Sequence, residues 1–122
     1  MDATLEDLRR QERAINQRIG AIQDAARFEE NKAQVGKCFR YRNCYSCPEK
    51  PGDYWWLYAK VQSIAKSGHL TVFMFQTDKY GEVTIKIDKY RHSMNDGYQP
   101  IAREQFDKQW RNLKRRIAAC RP

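Results

Sequence analysis

The chain has 122 residues, of which 41% are hydrophobic and 31% charged, with a formal net charge of +8 at pH 7. This length suits one domain with its own core and is too short for two. No run approaches the roughly 18 apolar residues of a membrane span, and the acidic N-terminus does not resemble a signal peptide. We therefore expect a soluble, cytoplasmic protein that makes no contact with a membrane.

The N-terminal segment predicts one long helix. Its aliphatic side chains recur at spacings of three, four and seven, and Glu12 interrupts the stripe. Thr4 and Asp7 form an N-terminal capping signal and Gly36 a stop, which gives about 30 residues and roughly 45 Å. Since a small sheet cannot cover this length, we predict a homo-oligomer, a dimer or higher; packing of the stripe on its own domain is the alternative. The expected subunit contacts are Leu8, Ile15, Ile19 and Ile22.

After Gly36 the periodicity changes from helical to alternating, which predicts four antiparallel strands separated by turn signals. The predicted strands are Val35 to Tyr45, Tyr54 to Ile64, Leu70 to Gln76 and Val83 to Ile87. In the second strand, alternation points Trp55 and Leu57 to one face. The rings on the other face are those of Tyr54, Trp56 and Tyr58. This second face either lies under a helix or contacts a ligand, and the pattern is compatible with both.

Residues 91–100 predict a polar loop, and a final helix follows from about Ala102 to Cys120. An apolar stripe docks this helix on the sheet, and the other face is basic. Arginines one turn apart can hold a phosphate through paired N–H donors, although a solvated basic face is the alternative. The basic residues are Lys108, Arg111 and Arg115, with Lys114 and Arg116 beside them.

These elements predict an α+β fold with a long N-terminal helix, a four-stranded antiparallel or SH3-like sheet, and a basic C-terminal helix. Residues 1–34 form the oligomerisation helix, and residues 35–122 form the sheet and final helix. The first segment holds seven acidic and six basic side chains, whereas the second holds eight acidic and seventeen basic ones and every Tyr and Trp. Cations beside flat rings favour an anionic partner that carries rings itself, as nucleotides do.

Cysteine spacing is the main hint of a metal site. Cys44 and Cys47 are spaced as zinc ligands, but a second CxxC pair is missing, so we expect structural thiols without metal or cofactor. Zinc is the alternative. Further candidate ligands are Cys38, His69, His92 and Cys120. The sequence holds no Gly-rich phosphate loop, no HExxH and no carboxylate pair with an evident acid–base role, so we expect a binding protein rather than an enzyme.

Two stretches resemble small proteins encoded by phages and prophages. They are VGKCFRYRNCYSCPEKPGDYWWLYAKV and VFMFQTDKYGEVTI, which follow the pattern VGKxFxYRNxYSCP…DYWWLY…FQTDxYG over roughly residues 35–87. Small phage proteins without catalytic motifs often counter bacterial immunity. One such class, the Thoeris anti-defence sponges, is similar in size and in having aromatic, arginine-rich pockets for cyclic nucleotide signals. The resemblance implies a protein of immune evasion in the bacterial host cytosol.

The sequence thus predicts a non-catalytic, phage-type anti-defence protein that sequesters a phosphorylated cyclic nucleotide or a signal of the cyclic ADP-ribose type. Rings would stack on the base, and guanidiniums would hold the phosphate. The expected ligand-binding residues are Tyr54, Trp56, Tyr58, Lys108, Arg111 and Arg115. The alternative is a nucleic-acid-binding module, or an anti-CRISPR protein acting on an RNA-loaded effector, which would use the same charge on many phosphates.

Overall fold

The computed structural model describes residues 2–44, 54–90, 94 and 97–119. It confirms the α+β class, with a long N-terminal helix, an antiparallel sheet and a C-terminal helix. The elements are helix α1 (Asp2–Asn31), a 3-10 turn (Lys32–Gln34), strands β1 (Cys38–Cys44), β2 (Tyr54–Ile64), β3 (Leu70–Thr77), β4 (Val83–Tyr90) and β5 (Gln99–Ile101), and helix α2 (Arg103–Ala119). Neither described helix is long and apolar enough to cross a membrane.

The sheet has five strands in the order β4-β3-β2-β1-β5, all antiparallel to their neighbours. The prediction of four strands was therefore wrong by one, because β5 lies inside the stretch predicted as a polar loop. Three residues are too few to show alternation, and a proline such as Pro100 is more typical of a turn than of a strand. Proline is tolerated there because β5 is an edge strand, paired with β1 on one side only.

The C-terminal end of α1 is anchored to the turn between β2 and β3. The side-chain amide of Asn31 donates to the carbonyl of Gly68 at 2.9 Å, and Arg27 donates to the carbonyl of Ser67 at 2.9 Å. Gly68 has φ +85°, and a Cβ on it would lie 2.5 Å from the backbone nitrogen of Phe28. A glycine is therefore required where the helix meets the turn.

The aliphatic stripe along α1 does not pack on the sheet of its own chain. Its five large side chains are between 47% and 68% exposed. These side chains are Leu5, Leu8, Ile15, Ile19 and Ile22. A surface of this length that is apolar and exposed is unusual for a small monomeric protein.

The sheet carries apolar side chains on both faces. On one face Ala59, Val61 and Met74 are fully buried, and Met94 from the segment after β4 packs against them. The other face, which we call the helix face, lies against α2. There Phe106 and Leu113 of α2 form a second buried cluster with Cys38 and Phe75 of the sheet, and the pattern of α2 predicted this docking.

Candidate functional site

The helix face has a covered half, made of Tyr58, Phe73 and Phe75 beneath α2. Rings pack on rings there: the centroids of Tyr58 and Phe75 are 5.4 Å apart, and those of Phe73 and Trp110 are 5.1 Å apart. Burial raises the pKa of the Tyr58 hydroxyl, and the positive charge of Arg40 opposes part of this effect. Tyr58 is therefore a neutral, half-buried side chain at physiological pH.

The helix face also has an open half, made of Arg40 and Arg42 of β1 with Tyr54 and Trp56 of β2. Arg42 lies directly opposite Trp56 in the strand register, and alternation places all four side chains on this face. The guanidinium carbon of Arg40 is 4.0 Å from the centroid of Trp56, and that of Arg42 is 5.0 Å from the centroid of Tyr54. Both distances lie within the roughly 6 Å of a cation–π contact. Rings in this half thus pair with cations.

A cavity of about 280 Å³, which we call the Trp56 groove, lies between the open half and α2. The sheet residues that line it are Trp55, Trp56, Tyr58, Phe75, Gln76 and Thr77. From α2 come Gln109, Asn112 and Arg116, whose spacings of three and four place them on one flank of the helix. The groove therefore combines ring faces, three side-chain amides and a guanidinium.

The arginines around the groove have no acidic partner in the described part of the chain. None of the ion pairs there involves Arg40, Arg42 or Arg116. The Nε of Arg40 donates to Oε1 of Gln99 at 2.7 Å, which orients the guanidinium over the indole and leaves its terminal amino groups for another acceptor. Cations that surround a cleft and have no acidic partners attract anions to it.

Three of the predicted basic residues lie away from this groove. Lys108, Arg111 and Arg115 are exposed and occupy the side of α2 opposite Phe106 and Leu113, which contact the sheet. Of the predicted rings, Trp56 and Tyr58 line the groove, and Tyr54 lies beside Trp56 with centroids 6.4 Å apart. The structure therefore brings the rings together and separates them from these three cations.

The cations of the open half and of the groove that the sequence prediction missed had detectable signals. In β1, Arg40 and Arg42 alternate with Tyr41, so both lie on one face. Pairing β1 and β2 as a hairpin would have shown, from the sequence alone, that these arginines lie beside the rings of β2. Arg116 follows Leu113 by three residues, at the edge of the buried stripe, and it was predicted only as an addition to the basic cluster.

The described cysteine thiol is structural. Cys38 is buried, and this burial raises the pKa of its thiol, which keeps it protonated. No group of three or more His, Cys, Asp or Glu side chains that could hold a metal occurs among the described residues. Metal-free cysteines remain a prediction, because the other candidate ligands apart from His69 lie outside the described side chains. They are Cys44, Cys47, His92 and Cys120.

Comparison of the chain with protein-family models, with curated proteins and with solved structures gives no match. Function must therefore be inferred from the chemistry of the groove. The indole of Trp56 offers a face to a flat ring, the guanidiniums offer charged donors to a phosphate, and the amides of Gln109 and Asn112 can read polar edges. These are the groups that nucleotide recognition needs.

Proposed function

We propose that the protein binds a phosphorylated nucleotide in the Trp56 groove and sequesters it unchanged. The observation that carries the proposal is the position of Trp56 beside Arg40 and Arg116, neither of which has a described carboxylate partner. A base stacked on an aromatic side chain contributes about 1–3 kcal/mol in single-strand platforms. Guanidinium donors would hold the phosphate in paired, charge-assisted hydrogen bonds.

The size of the groove limits what it holds. Ligand pockets usually measure about 300–1,000 Å³, and the groove lies just below this range at about 280 Å³. It suits one base with its phosphate. A cyclic dinucleotide, or a signal of the cyclic ADP-ribose type, would place one nucleotide in the groove and extend over the open half towards Arg42 and Tyr54.

Sequestration rather than turnover is supported by the groups in the groove. The described residues that line it include no carboxylate, imidazole or thiol, so no side chain there suits general acid–base catalysis near neutral pH. The anti-defence assignment rests on the resemblance of residues 35–87 to phage proteins. A protein that captures an immune signal needs affinity and no chemistry.

We also propose that the sheet is SH3-like. The strand order β4-β3-β2-β1-β5 is a four-strand meander with a short fifth strand paired with the first. The fully buried cluster around Met74 and Met94 lies on the face away from α2, as a barrel interior would. This architecture leaves the helix face on the outside of the barrel, where a ligand can reach its open half.

A nucleic-acid-binding module, which includes an anti-CRISPR protein acting on an RNA-loaded effector, is the second candidate. Two pairs of arginine and ring, Arg40 with Trp56 and Arg42 with Tyr54, follow one another along the strands. Successive bases of a single strand could stack along such a row. This partner would contact many phosphates, so its affinity would fall by orders of magnitude between about 50 and 200 mM salt.

Calorimetry separates the two candidates. Cyclic dinucleotides, cyclic trinucleotides and cyclic ADP-ribose isomers are compared with single- and double-stranded oligonucleotides at low and high salt. We expect a small nucleotide to bind with modest salt dependence and to be recovered intact by mass spectrometry. Binding of oligonucleotides alone, with a steep salt slope, would establish the nucleic-acid module instead. Recovery of a hydrolysed nucleotide would show that the protein is an enzyme.

A matched pair of variants locates the site. Arg116→Gln removes a groove cation, whereas Arg115→Gln makes the same change on the exposed side of α2. Hydrogen bonds to charged groups contribute about 1.5–3 kcal/mol, so Arg116→Gln should weaken nucleotide binding by about tenfold or more. Arg115→Gln should bind as the wild type does. The reverse result would move the site to the outer basic face of α2.

A further inference from the structure

We infer that α1 pairs with α1 of a second copy in antiparallel orientation, held in register by Glu12 and Arg18. This inference is independent of the nucleotide proposal. The helix is 30 residues long, and hydrogen bonds near its C-terminal end anchor it to its own sheet. Along the rest of the helix the aliphatic stripe is about half exposed or more. The surface that covers this stripe has to be long and has to match its periodicity.

The stripe follows a seven-residue repeat. The first position of the repeat holds Leu5, Glu12, Ile19 and Ala26, and the fourth position holds Leu8, Ile15 and Ile22. A repeat of seven, kept over several turns, forms a narrow seam that fits the seam of another helix better than the broad surface of a sheet. A second copy presents such a seam, and closed two-fold pairing needs no other partner.

Parallel pairing is disfavoured by Glu12. In a parallel pair, equal positions face each other, so two Glu12 carboxylates would meet in one layer of the seam. The side chains beside the seam would supply no counter-charge to these carboxylates, since Arg18 would face Gln23 of the second copy. A buried pair of like charges without a counter-ion is strongly destabilising.

Antiparallel pairing resolves this conflict. First positions then face fourth positions, and setting Glu12 level with Ile15 of the second copy leaves Arg18 of that copy one turn away. Side chains lean towards the N-terminus of their own helix, so Glu12 and Arg18 lean towards each other across the seam. Neither has an ion pair among the described residues. The same register brings together Leu5 with Ile22 and Leu8 with Ile19.

Sedimentation equilibrium of the full chain at tens of micromolar tests the pairing. We expect a dimer that Glu12→Arg or Arg18→Glu weakens by about tenfold or more, and that the double exchange of both residues restores. Arg10→Glu makes the same charge change on the outer side of the helix and should leave the dimer intact. A monomeric wild type, or a double variant no stronger than the single ones, would overturn the inference. Circular dichroism checks that each variant is folded.

Cross-linking tests the orientation. When chains carrying Leu8→Cys are mixed with chains carrying Ile19→Cys, oxidation should join the two substituted positions, as peptide mass mapping would show. Either variant alone should not link to itself through the substituted position. A disulfide between two copies of Leu8→Cys would show parallel helices and contradict the inference.

Discussion

The two halves of the helix face use aromatic side chains in different ways. In the covered half, rings pack on rings beneath α2, whereas in the open half rings lie against guanidiniums. The two halves share one strand, since Tyr54, Trp56 and Tyr58 alternate along β2. The three side chains are half-buried alike, and they differ in their contacts: Tyr58 packs against the cluster that the apolar stripe of α2 forms, whereas Tyr54 and Trp56 lie outside that cluster. An alternating pattern therefore assigns a face, and the docked helix decides which rings join its cluster.

The largest effect should come from the covered half. Phe75 is 3% exposed and contacts the rings of Tyr58, Phe106 and Trp110. Phe75→Ala should lower the free energy of unfolding by about 3–5 kcal/mol, because it leaves a cavity under α2. Urea unfolding measures this as a lower midpoint at an unchanged slope. A loss of less than about 1 kcal/mol would mean that α2 does not pack on this half.

In the open half, loss of a ring should reduce binding rather than stability. Trp56→Ala removes the stacking face and should weaken nucleotide binding by about 5- to 150-fold, which corresponds to about 1–3 kcal/mol. Trp110→Ala is the control, since Trp110 packs on Phe73 and Phe75 and its loss should reduce stability. Calorimetry and urea unfolding on both variants separate the two effects. Equal losses of stability in both variants would contradict the claim that the two halves use their rings differently.

A smaller effect should come from the cation over the indole. Arg40→Gln removes a charged donor and should lower nucleotide affinity by about tenfold and reduce the dependence of log affinity on log salt by up to about 1. Its effect on the free energy of unfolding should stay at about 1 kcal/mol, since Arg40 has no described acidic partner and the variant loses the contact with the Trp56 ring and the hydrogen bond to Gln99. Arg111→Gln on the exposed side of α2 serves as the control in the same titration. An unchanged salt dependence for Arg40→Gln would show that Arg40 does not contact the phosphate.

The smallest effect concerns alkaline pH. Burial raises the pKa of Tyr58 above its ordinary value of 10.0, so the folded state keeps a proton that the unfolded chain loses. The buried thiol of Cys38 makes stability fall as the pH rises above its ordinary pKa of 9.0, and Tyr58 should add to this fall above about pH 10. Urea midpoints on either side of this pH measure the fall, which Tyr58→Phe should reduce. Tyr80→Phe is the control because Tyr80 is 76% exposed. An equal fall in Tyr58→Phe would show that Tyr58 is not buried.

The sequence predicted the elements whose side chains repeat over many residues. The bounds of β2 agree with its alternation, and α1 has the predicted 30 residues. Its predicted ends were wrong, because the helix begins at Asp2, before Thr4, and ends at Asn31, where a 3-10 turn continues to Gln34. The sequence did not predict β5, because three residues have no period and their pairing with β1 is set by contacts distant in the chain. Local pattern therefore sufficed for the long elements only.

For the candidate site, the sequence identified the rings and missed most of the cations. The position of Trp56 on a face follows from alternation alone. The contacts of Arg40 and Arg42 depend on the register between β1 and β2, and that of Arg116 depends on how α2 is rotated on the sheet. Both are set by packing between distant segments, which a single sequence does not encode locally.

Indole N–H resonances test the central claim most directly, since the tryptophans sample both halves of the helix face. Trp56 lies in the open half and Trp110 on the covered half, whereas Trp55, whose Nε1 donates to Oε1 of Gln76 at 2.9 Å, lines the groove beside Trp56. The cyclic nucleotide that binds most tightly in calorimetry is titrated into ¹⁵N-labelled protein. We predict that the indole resonance of Trp56 shifts most and saturates, while that of Trp110 changes little. Saturable shifts at Trp110 with Trp56 unmoved would contradict the account.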